Sequence, residues 1–242
     1  MNKYGLNRMA ELPRMRFGTY LRESQLPPIP ATFGRSGLFP RVGWGMLGND
    51  QFGDCTIAGA MHASMCWNKM VGRDVRFTTL DAQDDYSAVT GYVSGDDSTD
   101  TGADMQQVAS YWRDIGMRDA HANRHKIGAY LGGNPHNFDH LYAGCYLLGP
   151  VGLGITVPKA AGQQFDASEP WHIVPGSPDD GYHYVPLIDH MPNGNALVVT
   201  WGAQQEVEQA WLAKYLHEVV YYVSEEMLIN GISPQGFALA DL

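Results

Sequence analysis

The stretch VGWGMLGNDQFGDCTIAGAMHASMCWNKM (Val42–Met70) decides the fold, because its two halves call for different backbones. Residues 42–54 carry four glycines and read as loop. From Cys55 to Met70 the chain reads as a helix, with Ile57, Ala60, Met61, Ser64, Met65 and Trp67 filling one side. Asp54 stands where a capping residue belongs, and Gly72 stops the helix. Cys55 is therefore the first residue of a helix that leaves a glycine-rich loop. Such an end presents free amides and partial positive charge, and both favour a thiolate. Most helix cysteines are inert packing residues; Cys66, in mid-helix, and Cys145, in YAGCYLLG, read that way.

Outward from this stretch, helices come first. Leu80–Val89 and Ala103–Ile115 predict two more, separated by the polar run SGDDSTDTG (Ser94–Gly102). Asp96, Asp97 and Asp100 in that run do not have the spacing of a calcium loop, so a solvated acidic loop is expected. The second half changes character. Leu148–Pro158, Tyr182–His190, Ala196–Gly202 and Glu218–Ser224 predict strands, and Asn193-Gly194 marks a hairpin turn. Helices followed by antiparallel strands indicate an α+β domain. The aromatic pairs Tyr111-Trp112 and Trp211/Tyr215 read as core.

A nucleophilic thiolate needs a base from elsewhere in the chain. Of nine histidines, His183 stands out, since it follows the turn PDDGY and opens a strand in the β half. His62 lies seven residues along the Cys55 helix and cannot face the thiol; His190 is too far along its strand to share a site with His183. His121, His125, His136, His140 and His172 sit in polar, loop-like sequence and are expected at the surface.

Composition sets the outer limits. Hydrophobic residues make up 44% of the 242-residue chain, enough for a sizeable core. Three cysteines and no Cys-x-x-Cys pair speak against a disulfide framework or a structural zinc site, and no metal or cofactor is expected. No run approaches the ~20 apolar residues of a membrane span. The N-terminus lacks a signal-type apolar segment, so a soluble protein made in the cytoplasm is expected. The formal charge of −10 argues against direct nucleic-acid binding. It is unevenly spread. Residues 1–41 carry Lys3, Arg8, Arg14, Arg16, Arg22, Arg35 and Arg41 against Glu11 and Glu23, a net +5 against −15 for the rest. With three prolines in QLPPIPATFG (Gln25–Gly34), residues 1–41 read as an extended arm on a 42–242 domain. Only Asn7–Glu23 hints at a helical period. The arm either folds back on its own body or docks on a neighbouring subunit, and both readings stay open.

GNDQFGDCTIAG (Gly48–Gly59) resembles the nucleophile motif of papain-like cysteine peptidases, in which an amide side chain precedes the cysteine by six residues, as Asn49 does here. GYHYVPLI (Gly181–Ile188) resembles the family's glycine–histidine–x–valine strand, and LVVTWG (Leu197–Gly202) the strand after it. TGADMQQVASYWRDIGM (Thr101–Met117) and GPVGLGITVPKAAGQQF (Gly149–Phe165) are similar to the helix and strand between them. The resemblance runs in order over about residues 42–224. It implies Cys55 as nucleophile, His183 as general base, and Asn49 with the Cys55 amide as oxyanion hole, acting on a peptide, protein or other amide. The family's imidazole-orienting asparagine is missing; Thr200, or Val199, stands in its place. Asp54 beside the cysteine is expected to oppose thiolate formation. A transglutaminase-like reading would need an aspartate, and Asp189 is poorly placed for it. Similar GMLGND…GDC sequences also resemble proteins of bacteriophage genomes. That raises a second expectation: a structural virion component, such as a head-surface, neck or tail protein, using a degenerate papain-like fold within a homo- or hetero-oligomer.

Overall fold

The computed structural model describes residues 3–21, 28–38 and 41–236. Its first half is helical. After the short helix α1 (Phe17–Tyr20) come α2 (Cys55–Met70), α3 (Thr79–Thr90) and α4 (Met105–Asp114). The long helix α2 is buried on nearly every side, as its run of small and apolar residues requires. Gly59 is essential to that burial. A β-carbon there would stand 2.2 Å from the Tyr184 ring, so the missing side chain lets the helix lie against the sheet.

The sheet is antiparallel, with strand order β5–β10–β6–β7–β8–β9. Its members are β5 (Ala129–Gly132), β6 (Val151–Pro158), β7 (Asp179–His190), β8 (Ala196–Thr200), β9 (Ala203–Val207) and β10 (Leu216–Val223). Central β6 is buried along its whole length, as expected of an apolar strand covered on both faces. Strand β7 begins at the surface and dives inward, and His183 is its first buried residue. Trp67 packs against Trp112, and Trp171 packs against both Trp201 and Trp211. No described helix is long and apolar enough to cross a membrane.

Several expectations need correction. The helical hint over Asn7–Glu23 yields only α1; Leu6–Asn7 is instead a strand, β1, paired in parallel with β2 (Ala103–Asp104), and Glu23 lies outside the described residues. Pro13 breaks any longer helix. The predicted helix from Ala103 therefore starts two residues later, capped by Asp104 through the Gln107 amide. The loop expected around His140 is a helix, α5 (Phe138–Leu148), whose Asn137 cap accepts from the His140 amide. His125 is not a surface residue. It sits on a small hairpin of β3 (Met117–Arg118) and β4 (Arg124–His125), with both ring nitrogens against carboxylates. Helices α6 (Lys159–Asp166) and α7 (Gln209–Tyr215) complete the chain order.

Described residues before residue 42 contact the body. Met9 donates its amide to Glu218. Further on, Arg35 is buried and donates to the carbonyls of Cys145 and Tyr146, and the Ser36 amide donates to Asp189.

Candidate active site

Cys55 opens α2 and is only 2% exposed. The loop before it is held from outside. The Gly53 amide donates to both oxygens of Asp100, at 3.0 and 3.1 Å, and Asp100 also accepts from the Tyr86 hydroxyl at 2.7 Å. That hydroxyl in turn accepts from the Gly102 amide. The run around Asp100, expected to be a solvated loop, thus props the entrance to the cysteine helix. Nothing local in the sequence signals this, because the partner lies 47 residues away.

Asp54 does not cap α2 with its side chain. Its carboxyl is fully buried, and neither oxygen has a hydrogen-bond partner among the described residues. Burial pushes its pKa well above the usual carboxylate range; the nearby Asn49 amide opposes this, too loosely placed to complete a hydrogen bond. In the residue expected to repel a thiolate, burial thus favours the neutral acid over the carboxylate. Asn49 is itself 3% exposed, with its side-chain nitrogen unpaired among the described residues.

His183 approaches from the sheet. The sulfur of Cys55 lies near the backbone amide of Tyr184, the residue that follows it. One ring nitrogen, Nε2, is 2.8 Å from the Thr200 hydroxyl, and Nδ1 has no partner among the described residues. Thr200 ends β8, and Trp201-Gly202 make the two-residue turn into β9, both with positive φ (45° and 73°). Such a turn suits the twist of the paired strands, and the strain at Trp201 sits beside the site. It lays the Trp201 indole against the imidazole, centroids 5.1 Å apart at 26°. Val199, the other residue considered as orienter, points into a separate apolar cluster with Trp44 and Ile188. Asp189 is occupied by the Ser36 and His190 amides and plays no part here.

The N-terminal segment covers this arrangement. Lys3 donates its amide to the Asn49 carbonyl at 3.0 Å, and Ala103 donates to the Gly5 carbonyl at 2.9 Å. The Gly5 amide faces the Cys55 sulfur. The fit is tight enough that a β-carbon at Gly5 would fall 1.7 Å from the Gly53 oxygen. Tyr4 sets its ring edge-on to His183 at 5.8 Å and donates its hydroxyl to Asp180. It occupies the space a side chain at Gly181 would need.

Under this cover both reacting groups are neutral. Burial pushes the Cys55 thiol up to about 12, against the pull of the Tyr184, Gly5 and Thr56 amides. Burial lowers His183 to about 3. No hydrogen bond joins the two. Asn49 Nδ2, the Asp54 carboxyl, the Thr56 hydroxyl and His183 Nδ1 are all buried and unpaired among the described residues. Most buried polar groups find partners, so such a concentration marks a site built for something else. No three His, Cys, Asp or Glu side chains among the described residues gather as a metal site.

No protein-family model matches the chain, and no curated protein matches its sequence. Solved structures do match. Xylellain, a cysteine protease from Xylella fastidiosa, superposes with a TM-score of 0.69 over 92% of this chain and 96% of its own, at 13% identity. Procathepsin B S9 from Trypanosoma congolense gives 0.61 over 92% and 86%, at 12% identity. Digestive procathepsin L 3 from the Tenebrio molitor larval midgut gives 0.58 over 92% and 76%, at 13% identity. The fold is that of papain-like cysteine proteases. On this papain-like frame Thr200 stands at the imidazole, and a run of the chain's own first residues lies over the cysteine.

Proposed function

We propose that this protein is a cysteine hydrolase of peptide or protein amides, and that residues 3–9 cover its cleft at rest. The observation that carries the reading is the cluster of buried, unpaired polar groups around a helix-start cysteine, beside an imidazole already engaged through one nitrogen. The Thr200 hydroxyl accepts from Nε2–H, which leaves Nδ1 as the basic nitrogen on the other side of the ring. Once the covering segment lifts, water and substrate enter, the desolvation that holds both groups neutral is relieved, and the Cys55 proton passes to Nδ1. The thiolate attacks the substrate carbonyl carbon. The negative charge that develops on the carbonyl oxygen is met by the Cys55 amide and the Asn49 side-chain amide. The imidazolium then gives its proton to the departing nitrogen as the C–N bond breaks. Water, deprotonated by His183, releases the acyl group from sulfur. The raised pKa of the buried Asp54 carboxyl weakens the repulsion a carboxylate would exert on the thiolate.

The test is hydrolysis of fluorogenic peptides by the full-length Gly5→Ala chain, whose new β-carbon cannot coexist with the Gly53 oxygen. Turnover that disappears with Cys55→Ala and with His183→Ala supports the reading. No turnover, with Cys55 alkylated at an ordinary thiol's rate, overturns it.

A phage-encoded virion component is the second reading. Its support is the basic segment and the resemblance of the cysteine loop to phage sequences. Against it, residues 3–9 are engaged by this chain's own cleft and are not available to wrap a neighbour. The hydrolase reading asks for a peptide or protein partner and no cofactor.

A further inference from the structure

A second cleft lies on the other face of the sheet from Cys55. On β10 the Tyr222 hydroxyl meets that of Tyr184, the residue beside the cysteine, so Tyr221 points the opposite way. Its ring stacks on Phe17 of α1, centroids 3.9 Å apart at 20°. Both rings help to wall a cleft of about 350 Å³ between α1, the end of β5 and the start of α5. Two glycines admit the Tyr221 ring. A β-carbon at Gly144 would stand 2.1 Å from its Cε1, and one at Gly133, itself in the cleft wall, 2.6 Å from its Cε2. Those two carbons flank the carbon that bears the oxygen, so the hydroxyl end of the ring lies at the wall. The side chain is fully buried, and its hydroxyl has no partner among the described residues. Buried hydroxyls are seldom left so, and phenylalanine would fill the place without that cost.

The other polar groups of the cleft agree in sign. Arg16 is exposed, with Nη1 3.2 Å from where a β-carbon of Gly132 would stand, and it forms no ion pair with any described residue. Asn134 and Asn137 accept the His136 and His140 amides with their side-chain oxygens, both at 3.0 Å, so what they have to offer a ligand is their amide hydrogens. Asn137 is also the cap of α5, which brings the positive end of an 11-residue helix to the cleft. None of the described residues that line it is Asp or Glu, and Asp139 in the first turn of α5 lies outside the lining. Donors that converge on one space beside a helix N-terminus, with no carboxylate among them, suit an anion. The volume is close to the lower bound of ligand pockets, about 300 Å³, which fits a small molecule.

We propose that this cleft binds a small phosphate monoester, with its phosphoryl oxygens held by Arg16, the N-terminal end of α5 and the Tyr221 hydroxyl. These donors come from three elements, α1, α5 and β10. A phosphoryl group presents three strong acceptor oxygens to them, whereas a carboxylate presents two.

The test is titration of the isotope-labelled full-length chain with phenyl phosphate and with acetate, read from the backbone amide resonances of Asn137 and His140. Phenyl phosphate should shift them saturably and bind at least ~10-fold tighter than acetate. Arg16→Gln, at an exposed position, should weaken phenyl phosphate at least ~10-fold. Tyr221→Phe should weaken it at least ~3-fold and leave the unfolding temperature the same or higher, because the variant no longer buries an unpaired hydroxyl. A hydroxyl kept only for structure would do the reverse, lowering that temperature and leaving binding alone. No saturable shift, acetate bound as tightly as phenyl phosphate, or unchanged binding in both variants overturns the proposal. None of these readouts needs turnover, so the cleft is judged apart from the hydrolase reading.

Discussion

Thr200 is a one-oxygen device. Its hydroxyl, 2.8 Å from Nε2, holds the imidazole by one ring nitrogen and leaves Nδ1 without a partner among the described residues. Thr200→Val keeps the shape of the side chain and removes the oxygen. In the Gly5→Ala chain it should lower kcat/KM by about ten- to a hundredfold, the weight of one oriented hydrogen bond, while Thr200→Ser keeps most of the rate. Equal rates for all three would remove Thr200 from the mechanism. The cysteine makes a second prediction at this scale. With its thiol at about 12, Cys55 in the native chain should react slowly with iodoacetamide until strongly alkaline pH. Gly5→Ala should bring fast labelling below about 8.5, the ordinary thiol value, and His183→Ala should abolish that gain. Labelling of the native chain that is already fast at neutral pH would contradict a covered site. The helix start at Cys55 and the strand that carries His183 could be read from the sequence, because residue type, order and helix start are local or ordinal properties. The raised pKa of Asp54 and the contact of Asp100 with the Gly53 amide could not, because both depend on burial and on partners far along the chain.

Among the elements, the clearest prediction concerns the 3₁₀ turn Glu225–Met227 that follows β10. Glu226 accepts from His125 Nδ1 and from Asn68 on α2, and its carbonyl accepts from Arg73. His125 Nε2 faces Asp119 at 3.1 Å, and the Phe77 ring packs edge-on to the imidazole. Asp119, though partly buried, is held at about 2 by donors from Asn123, His125 and His121. Two carboxylates, one at each ring nitrogen, favour the charged form of the imidazole. Burial opposes that charge, but Glu226 and Asp119 prevail, and the pKa is raised. A raised histidine pKa contributes stability that is complete below about 6.5 and is lost as pH rises through the folded value. Native protein should therefore lose thermal stability as pH rises above about 6.5, and His125→Gln should flatten that slope. An unchanged slope would mean that other groups dominate. The elements visible in sequence were those with strong period or strong propensity, α2, α3, β7 and β8 above all. Strand β9, AQQEV, escaped because three consecutive polar residues hide its alternation, though the strand is mostly buried and bridged on its outer side by Val42 and Trp171. Helix α5 escaped because its capped start, NFDHL, looks like a turn until the apolar residues behind it find β10 and β7.

At the scale of the molecule, residues 3–9 lie over the cleft, and the closed form depends on keeping His183 neutral. A histidine lowered to about 3 favours the folded, covered state above its unfolded value of about 6.5, and that contribution is lost as pH falls towards 3. At pH 4.5 the penalty is on the order of 2 kcal/mol for this one group. His62, lowered to about 4 by burial inside α2, adds a share that strains the body as a whole. Protonating His183 requires water at the imidazole, and what excludes water is the Tyr4 ring and the Gly5–Leu6 backbone. The least costly response to acid is then local opening of residues 3–9 rather than unfolding. Hydrogen exchange at the Gly5 and Leu6 amides should therefore accelerate between pH 6.5 and 4.5 beyond its intrinsic pH trend, ahead of exchange in β6 and β10. His183→Gln keeps a polar group beside Thr200 but cannot take up a proton. It should remove most of that acceleration and leave the slower, His62-dependent loss of global stability in place. If the variant opens with the same pH dependence as the native chain, His183 is not the group through which acid lifts the cover.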